Sequence, residues 1–556
     1  MTYLTNRKGC SMPTVLTKTT DALGAVRVMI RSGLVPFPRL DRGIASLAGV
    51  ARFGPFAGPV HAHARTEPRT PALVDELGTL DYGTLDASAN ALARAWHTAG
   101  ITAEHTAAVL CRNHRWLVVT MLASAKNGNR LVLMNTGFGA PQLAGVATRE
   151  GVHAFVFDDE FAPLADALDP SVARYRAWVD DPAAETTAPT LADTIARTDD
   201  SDVSPPDTPG GFVLLTSGTT GTPKGAPRGR TSPLASAQFL DRVPLRRGQR
   251  MMMAAPAFHG TGVSQLAIAL ALGQCVVTAR RFDPENTVAL VAEHACDALV
   301  VVPTMLQRIV DLGPDVLSRY DTSHLSIVFA AGSPISPDLS ARTARAFGPV
   351  LYNLYGSTEV AVATVATPGE LAEAPGTAGR PPVTCHVALY DDEGHRITQP
   401  GVTGRIFVAS GLSFEGYTDG RDKERRDGLL STGDVGHFDS RGLLFVDGRD
   451  DDMIVSGGEN VYPLEVENLL ADHEEVMDVA VIGVEDPEFG HRLRAFVVPT
   501  ANSARDADAL RAHVKARLAR YKVPRDVVFV DELPRNTTGK LLRRALTDLE
   551  PEPPAA

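Results

Sequence analysis

Cysteine is scarce in this chain. Five occur in 556 residues, at positions 10, 111, 275, 296 and 385, an odd number with no CxxC pair. Neither a thiolate zinc site nor a disulfide framework has the spacing it needs, so reduced thiols are expected. Long apolar runs are absent too. None reaches the roughly 18 residues of a membrane span, and no apolar stretch of a secretory signal follows the polar first residues. Positive charge is in deficit: 54 Lys and Arg against 66 Asp and Glu give a net −12, which disfavours nucleic acid as a partner. These absences together predict a cytoplasmic protein.

What is present is ordinary globular composition, 44% hydrophobic and 22% charged. The length exceeds what one core can bury, so at least two domains are expected. Residues 22–57 stand apart. Arg27, Arg31, Arg39, Arg42 and Arg52 alternate with Val26, Met29, Ile30, Leu34, Phe37, Ile44, Leu47 and Phe53. Such a mixture can lie on a membrane surface. An arm packed on its own domain is the preferred reading.

From about 65 to 440, short apolar runs alternate with helix-like stretches. Examples are Ala107–Leu110, Arg130–Met134, Ala154–Phe157, Ala298–Val302 and Leu325–Ala330. Buried parallel strands with helical crossovers read this way, giving an α/β fold. Residues 180–210, rich in Asp, Thr and Pro, read as an exposed linker. From 383 to 447, strand-like pieces between Gly/Asp turns suggest a small β-rich subdomain. The last hundred residues pattern as helix 463–472, strands 478–484 and 494–499, helix 505–520 and strand 526–530, a compact α+β unit. The Pro-rich residues 551–556 read as a disordered tail.

Chemistry enters at Phe212–Gly225, where an apolar run feeds Thr216-Ser217-Gly218-Thr219-Thr220-Gly221-Thr222-Pro223-Lys224-Gly225. Glycines turn backbone N–H groups toward an anion, and hydroxyls and an ammonium add donors. This is a phosphate-gripping composition but not a Walker A loop, because Gly225 rather than a hydroxyl residue follows Lys224. A second motif, Asn353-Leu354-Tyr355-Gly356-Ser357-Thr358-Glu359, offers an aromatic face for a purine and a carboxylate for a hard cation. A third, Ser431-Thr432-Gly433-Asp434, offers a carboxylate able to take two ribose hydroxyls. The fourth is Asp447–Asn460, containing Arg449, Asp450-Asp451-Asp452 and Gly457-Gly458-Glu459-Asn460. The fifth, Leu533–Lys540, ends a Gly-containing loop on a lysine.

These five motifs, in this order, resemble the adenylate-forming superfamily of acyl-CoA synthetases, firefly luciferases and peptide-synthetase adenylation domains. The resemblance implies a large N-terminal domain (65–449) of parallel-rich αβαβα layers with a β subdomain at about 383–447. An arm (1–64) would precede it, and a small mobile C-terminal domain (450–550) would turn about Asp451. It implies ATP, Mg²⁺ and CoA as cofactors. Residues 216–220 and Lys224 would grip phosphate. Gly332, Ser333, Asn353, Tyr355, Gly356 and Ser357 would surround adenine, with Asn460 also at the nucleotide. Thr358 would meet the α-phosphate, Glu359 Mg²⁺, Asp434 the ribose, and Arg449 the ribose or a phosphate. Lys540 would bridge the acid and the α-phosphate, and Gly457, Gly458 and Glu459 would face the CoA thiol. Asp450 departs from the neutral or apolar residue common there.

For the acid, Phe258 and His259 stand where amino-acid-activating relatives use an aspartate, which argues against α-amino acids. His259 is either a gate of the acyl or thiol path or a packed structural histidine. Phe258, Gly260, Gly262, Thr304, Met305 and Ala331 are the candidate acyl pocket. The motifs look most like bacterial fatty-acyl-CoA synthetases, so a medium- or long-chain fatty acid is expected. The alternatives are an aryl or specialised carboxylate, a carrier protein as acceptor in place of CoA, and an ATP-dependent nitrite-activating diazotase. A non-catalytic binding protein is disfavoured because Lys540, Glu359, Asp434 and Arg449 are all present.

Overall fold

Among the described residues of this computed structural model, four β-sheets organise the chain. The structure describes residues 15–35, 38, 40–181, 188–216, 224–227, 237–414, 416–417, 422–456, 459–486, 490–501, 503–536 and 540–547. The fold is mixed α/β. The apolar runs at Arg130–Leu133, Thr106–Leu110 and Val152–Phe157 become parallel neighbours in a six-stranded sheet, with Phe212–Thr216 beside Arg130–Leu133. The strand after the phosphate loop, Lys224–Pro227, pairs antiparallel with Phe212–Thr216, so residues 217–223 join two paired strands. An eight-stranded sheet carries Arg250–Met253, Ala298–Val301, Ile327–Ala331 and Leu351–Tyr355 in parallel. Its central strands Ala298–Val301 and Ile327–Ala331 are buried end to end, the pattern of a sheet covered on both faces.

The third sheet is antiparallel, built from His386–Tyr390, Gly404–Ala409, Leu429–Phe438 and Leu444–Arg449 among others. The fourth is formed by residues 454–529. Its long hairpin Val476–Asp486 and Gly490–Pro499 packs against the helix Pro463–Ala471. Several boundaries differ from expectation: the strands expected over 478–484 and 494–499 are longer, Val476–Asp486 and Gly490–Pro499. The helix expected over 505–520 is confined to Ala507–Lys515, capped by the Asp506 carboxylate. The linker expected over 180–210 contains the helix Leu191–Ala196, capped by Thr190, with Leu191 wholly buried.

The N-terminal arm forms two helical elements, Val15–Ser32 and Leu40–Thr66. Ala25, Val28, Met29, Phe53, Phe56, Ala57 and Val60 are buried against the body, while Leu23, Val26, Ile30, Ile44 and Leu47 stay exposed. Packing on the body is therefore what the arm's buried face does. No described helix is long and apolar enough to cross a membrane. Of the cysteines, Cys111, Cys275, Cys296 and Cys385 are buried and in no disulfide, and Cys10 lies outside the described residues.

Candidate functional site

The second motif leaves the large sheet on the strand Leu351–Tyr355 and turns at once. Gly356 permits the turn, because a Cβ there would lie 2.1 Å from the Ala361 carbonyl oxygen. The Ser357 hydroxyl accepts the Glu359 N–H at 3.2 Å, and the Ala361 N–H donates to the Ser357 carbonyl at 2.8 Å. This closed turn aims Thr358 and Glu359 into a cleft. Burial pushes the Glu359 carboxyl up. The Tyr417 hydroxyl, donating at 2.6 Å, together with Ser357 and the charge of Lys423, outweighs it and holds the group below the usual carboxylate range.

Across the cleft, the strand Leu429–Phe438 presents Asp434. Tyr355 donates its hydroxyl to Asp434 Oδ2 at 2.6 Å, and the Thr432 hydroxyl accepts the Asp434 N–H at 3.1 Å. Arg449 approaches Oδ1 at 3.4 Å. Burial raises the Asp434 carboxyl above its ordinary value, against the pull of Tyr355, Arg449, Lys423 and Lys540. Burial likewise lifts the Tyr355 phenol far up, so Tyr355 is the donor of this pair. Gly433, at φ 80°, leaves space where a Cβ would lie 3.3 Å from the Arg449 guanidinium and 3.4 Å from the Lys423 ammonium.

Lys540 reaches the same cleft from the small C-terminal sheet. Its loop is closed by Asn536, which exchanges backbone and side-chain hydrogen bonds of 2.9 Å with Lys540. Arg535, at the loop's base, grips Asp478 at 2.8 Å. The Lys540 side chain is exposed and lines the cleft with Asp434, Arg449, Glu359 and Tyr355. Between the two bodies lies the acidic triplet. Asp450 pairs with Arg405 at 3.1 Å, on the antiparallel sheet, and Asp452 pairs with Arg543 at 3.2 Å, on the C-terminal side. The flanking carboxylates are thus tied to opposite bodies, and Asp451 lies between them.

The cleft continues past Gly332, Ser333 and Ala331 to His259, Gly260 and Thr304. Burial lowers the His259 imidazole to about 4, and its Nε2 has no hydrogen-bond partner among the described residues. The ring is therefore neutral near pH 7. Three expected pocket residues lie elsewhere. Phe258 is buried beside the His259 ring, 4.5 Å between centroids, and is not part of the cleft wall. Met305 packs between two core clusters. Gly262 is small for a backbone reason: a Cβ would lie 2.2 Å from the Pro256 carbonyl oxygen.

Asn353 lines the cleft with Ser357 and Gly356. Ser217, Gly218, Thr219, Thr220, Gly457 and Gly458 lie outside the described residues, as do the side chains of Thr216, Lys224, Asp451, Glu459 and Asn460. Two residues the motifs did not single out matter here, Tyr417 and Lys423. Both sit in a Gly- and charge-rich stretch with no local signature, and only the fold brings them to Glu359 and Asp434.

Comparison with known proteins identifies the family. The AMP-binding enzyme family matches residues 60–418, and the AMP-binding enzyme C-terminal domain matches residues 465–540. The indoleacetate–CoA ligase of Aromatoleum aromaticum is 31% identical over 87% of this chain and 95% of its own. A fatty acid–[acyl-carrier-protein] ligase of Streptomyces coeruleorubidus is 31% identical over 87% of this chain and 94% of its own. The solved structure of the o-succinylbenzoate CoA synthetase from Bacillus subtilis, in complex with its acyl-adenylate intermediate, superposes with a TM-score of 0.76 at 25% identity. It covers 89% of this chain and 98% of that one. The chain therefore belongs to the AMP-binding enzymes, as an AMP-forming ligase of the adenylate-forming superfamily.

Proposed function

We propose that this enzyme activates an apolar carboxylic acid, aryl or acyl, as its adenylate and passes the acyl group to the thiol of CoA. The observation that carries the reading is the single cleft in which Lys540 from one body meets Glu359, Asp434 and Arg449 from the other, and which continues to an uncharged wall at His259. The acid class is set at this level because the relatives divide. One acts on indoleacetate and one on a fatty acid, by their names. Aryl acids are accordingly the first to test, in place of the fatty acid expected from motif resemblance.

The residues suit each step. Asp434 has two carboxylate oxygens for ribose hydroxyls once Tyr355 turns to the base. Glu359, kept ionised, fits as the oxygen ligand of Mg²⁺, which would neutralise phosphate charge. Lys540 is positioned to hold the acid carboxylate against the α-phosphate. A carboxylate oxygen then forms the new P–O bond while the bond to the β-phosphate oxygen breaks and pyrophosphate leaves. Its ammonium stabilises the charge that develops. The neutral His259, with a free ring nitrogen, suits a polar partner at the mouth of the acid chamber. For the second step the small body turns about Asp451, and the Gly457-Gly458-Glu459 face takes the place of Lys540. The thiol attacks the acyl carbon, the bond to AMP breaks and AMP departs.

The test is pyrophosphate release from Mg·ATP with indole, phenylalkanoic, cinnamic and straight-chain acids, and with nitrite plus an aminophenol, each with and without CoA. Turnover with an organic acid that rises on adding CoA, with acyl-CoA formed, is the expected result. Turnover only with nitrite, or indifference to CoA while a carrier protein is acylated, would overturn it.

A further inference from the structure

The helices before residue 60 precede the family match and contain none of the motifs, yet they are held firmly. The element Leu40–Thr66 breaks at Gly54, φ 78°, and doubles back, so its two limbs touch at Gly49 and Gly58. A Cβ on Gly49 would lie 2.3 Å from the Gly58 carbonyl oxygen. Gly54 abuts Pro209, and Phe56 meets Phe212 edge-on at 5.1 Å, on the strand that enters the phosphate loop. In the second limb, His61 accepts from Arg65 and donates to Asp86 at 3.2 Å. Lys126, buried, donates to Asp86 and Asn90 at 2.5 and 2.6 Å and lies 5.2 Å over the Phe53 ring.

This hairpin also borders the acid site. The cleft runs on from His259 along the helix Gly260–Ala271. Thr261, Ser264, Ala267 and Ala271 recur at three- and four-residue spacing, line the cleft and are only half-buried, whereas Leu266, Ala269 and Leu270 are buried. With Val263 and Ile268, which line the cleft too, they make one face about 15 Å long at 1.5 Å per residue. Leu34, Val50, Gly54 and Phe56 of the arm line the same cleft. Leu34 and Ala271 also share a small cavity with Arg42 and His63, which locates the arm at the far end of that helix.

We propose that the N-terminal hairpin is the distal wall of the acid site, and that the substrate is an acid whose apolar tail extends past His259 toward Val50 and Leu34. This rests on the carboxylate-ligase reading above. An acid ending in one short ring leaves the groove beside Ala267 and Ala271 unfilled, and each further buried methylene should raise kcat/KM about fourfold.

The test is kcat/KM for pyrophosphate release by the full-length enzyme with ω-phenylalkanoic and straight-chain acids of graded length. The expected result is a rise with length to a plateau. Val50→Trp should lower the long-to-short ratio of kcat/KM at least tenfold, Val50→Ala should move the plateau to longer tails, and Ala267→Phe, from the facing helix, should act as Val50→Trp does. A wild-type series flat in tail length, or ratios unmoved in both Val50 variants, would overturn the inference and leave the ligase reading standing. Failure of every acid to release pyrophosphate would instead overturn the ligase reading and, with it, this inference.

Discussion

At Glu359 burial and hydrogen bonding pull in opposite directions, and the hydrogen bonds win. The carboxylate is ionised in the folded enzyme at neutral pH and loses its charge only as pH falls through its depressed value. Activity that needs the ionised form therefore has an acid limb below the usual carboxylate range. Tyr417→Phe removes the 2.6 Å donor, so the group titrates at higher pH and the acid limb of kcat/KM should move upward, with the rate near pH 8 much less affected. An unmoved limb in the pH profile would show that Tyr417 does not support this charge. Lys540, proposed to meet the acid and the α-phosphate, differs in being exposed. Lys540→Ala should cost about 10²–10³-fold in pyrophosphate release, the scale of one preorganised donor, with ATP binding by calorimetry largely kept. Near-wild-type release would remove Lys540 from the mechanism.

Among the elements, the arm hairpin depends on a backbone contact that no side chain can share. Gly58→Val inserts a branched side chain where a Cβ alone would lie 2.3 Å from the Gly49 carbonyl carbon. Overpacking of this kind costs about 1–3 kcal/mol. The denaturant midpoint should fall accordingly, and an exposed-site control such as Leu23→Ser should leave it unchanged. The sequence shows the arm's mixed composition but not this crossing, because Gly49 and Gly58 meet only after the turn at Gly54. The same limit explains what else was legible. The apolar runs at 107–110, 130–134 and 298–302 marked real parallel strands, since burial on both faces writes itself as continuous hydrophobicity. Asn353 to Glu359, Asp434, Arg449 and Lys540, singled out as motifs, line one cleft, and their local turns are what the sequence could show. Tyr417, Lys423 and the Thr261–Ala271 face were not legible, because chain-distant packing selects them. Gly262 and Phe258, small and aromatic residues beside the cleft, serve a backbone contact and the core, which the sequence pattern alone does not separate from a pocket wall.

For the molecule as a whole, the proposed turn about Asp451 decides whether two reactions can share one cleft. Asp450 is tied to Arg405 and Asp452 to Arg543, so rotation that keeps both ion pairs must be absorbed at Asp451. Each pair is partly exposed and contributes at most about 1 kcal/mol. Their value is in where they concentrate the backbone change rather than in stability. In the observed arrangement Asp451 sits inside the short 3₁₀ turn Asp450–Asp452, with Lys540 facing the cleft that holds Asp434. A 3₁₀ residue has φ near −60°, close to the roughly −65° that proline imposes. Asp451→Pro should therefore retain the observed arrangement and resist the other. Pyrophosphate release in a single turnover should stay within about threefold of wild type, while transfer of the acyl group from adenylate to CoA falls at least tenfold, on the order of 1.4 kcal/mol in barrier. Equal losses in both half-reactions would mean that the turn itself was broken or that the pivot lies elsewhere. Wild-type thioester formation would mean that the small body need not turn at Asp451 for the second step.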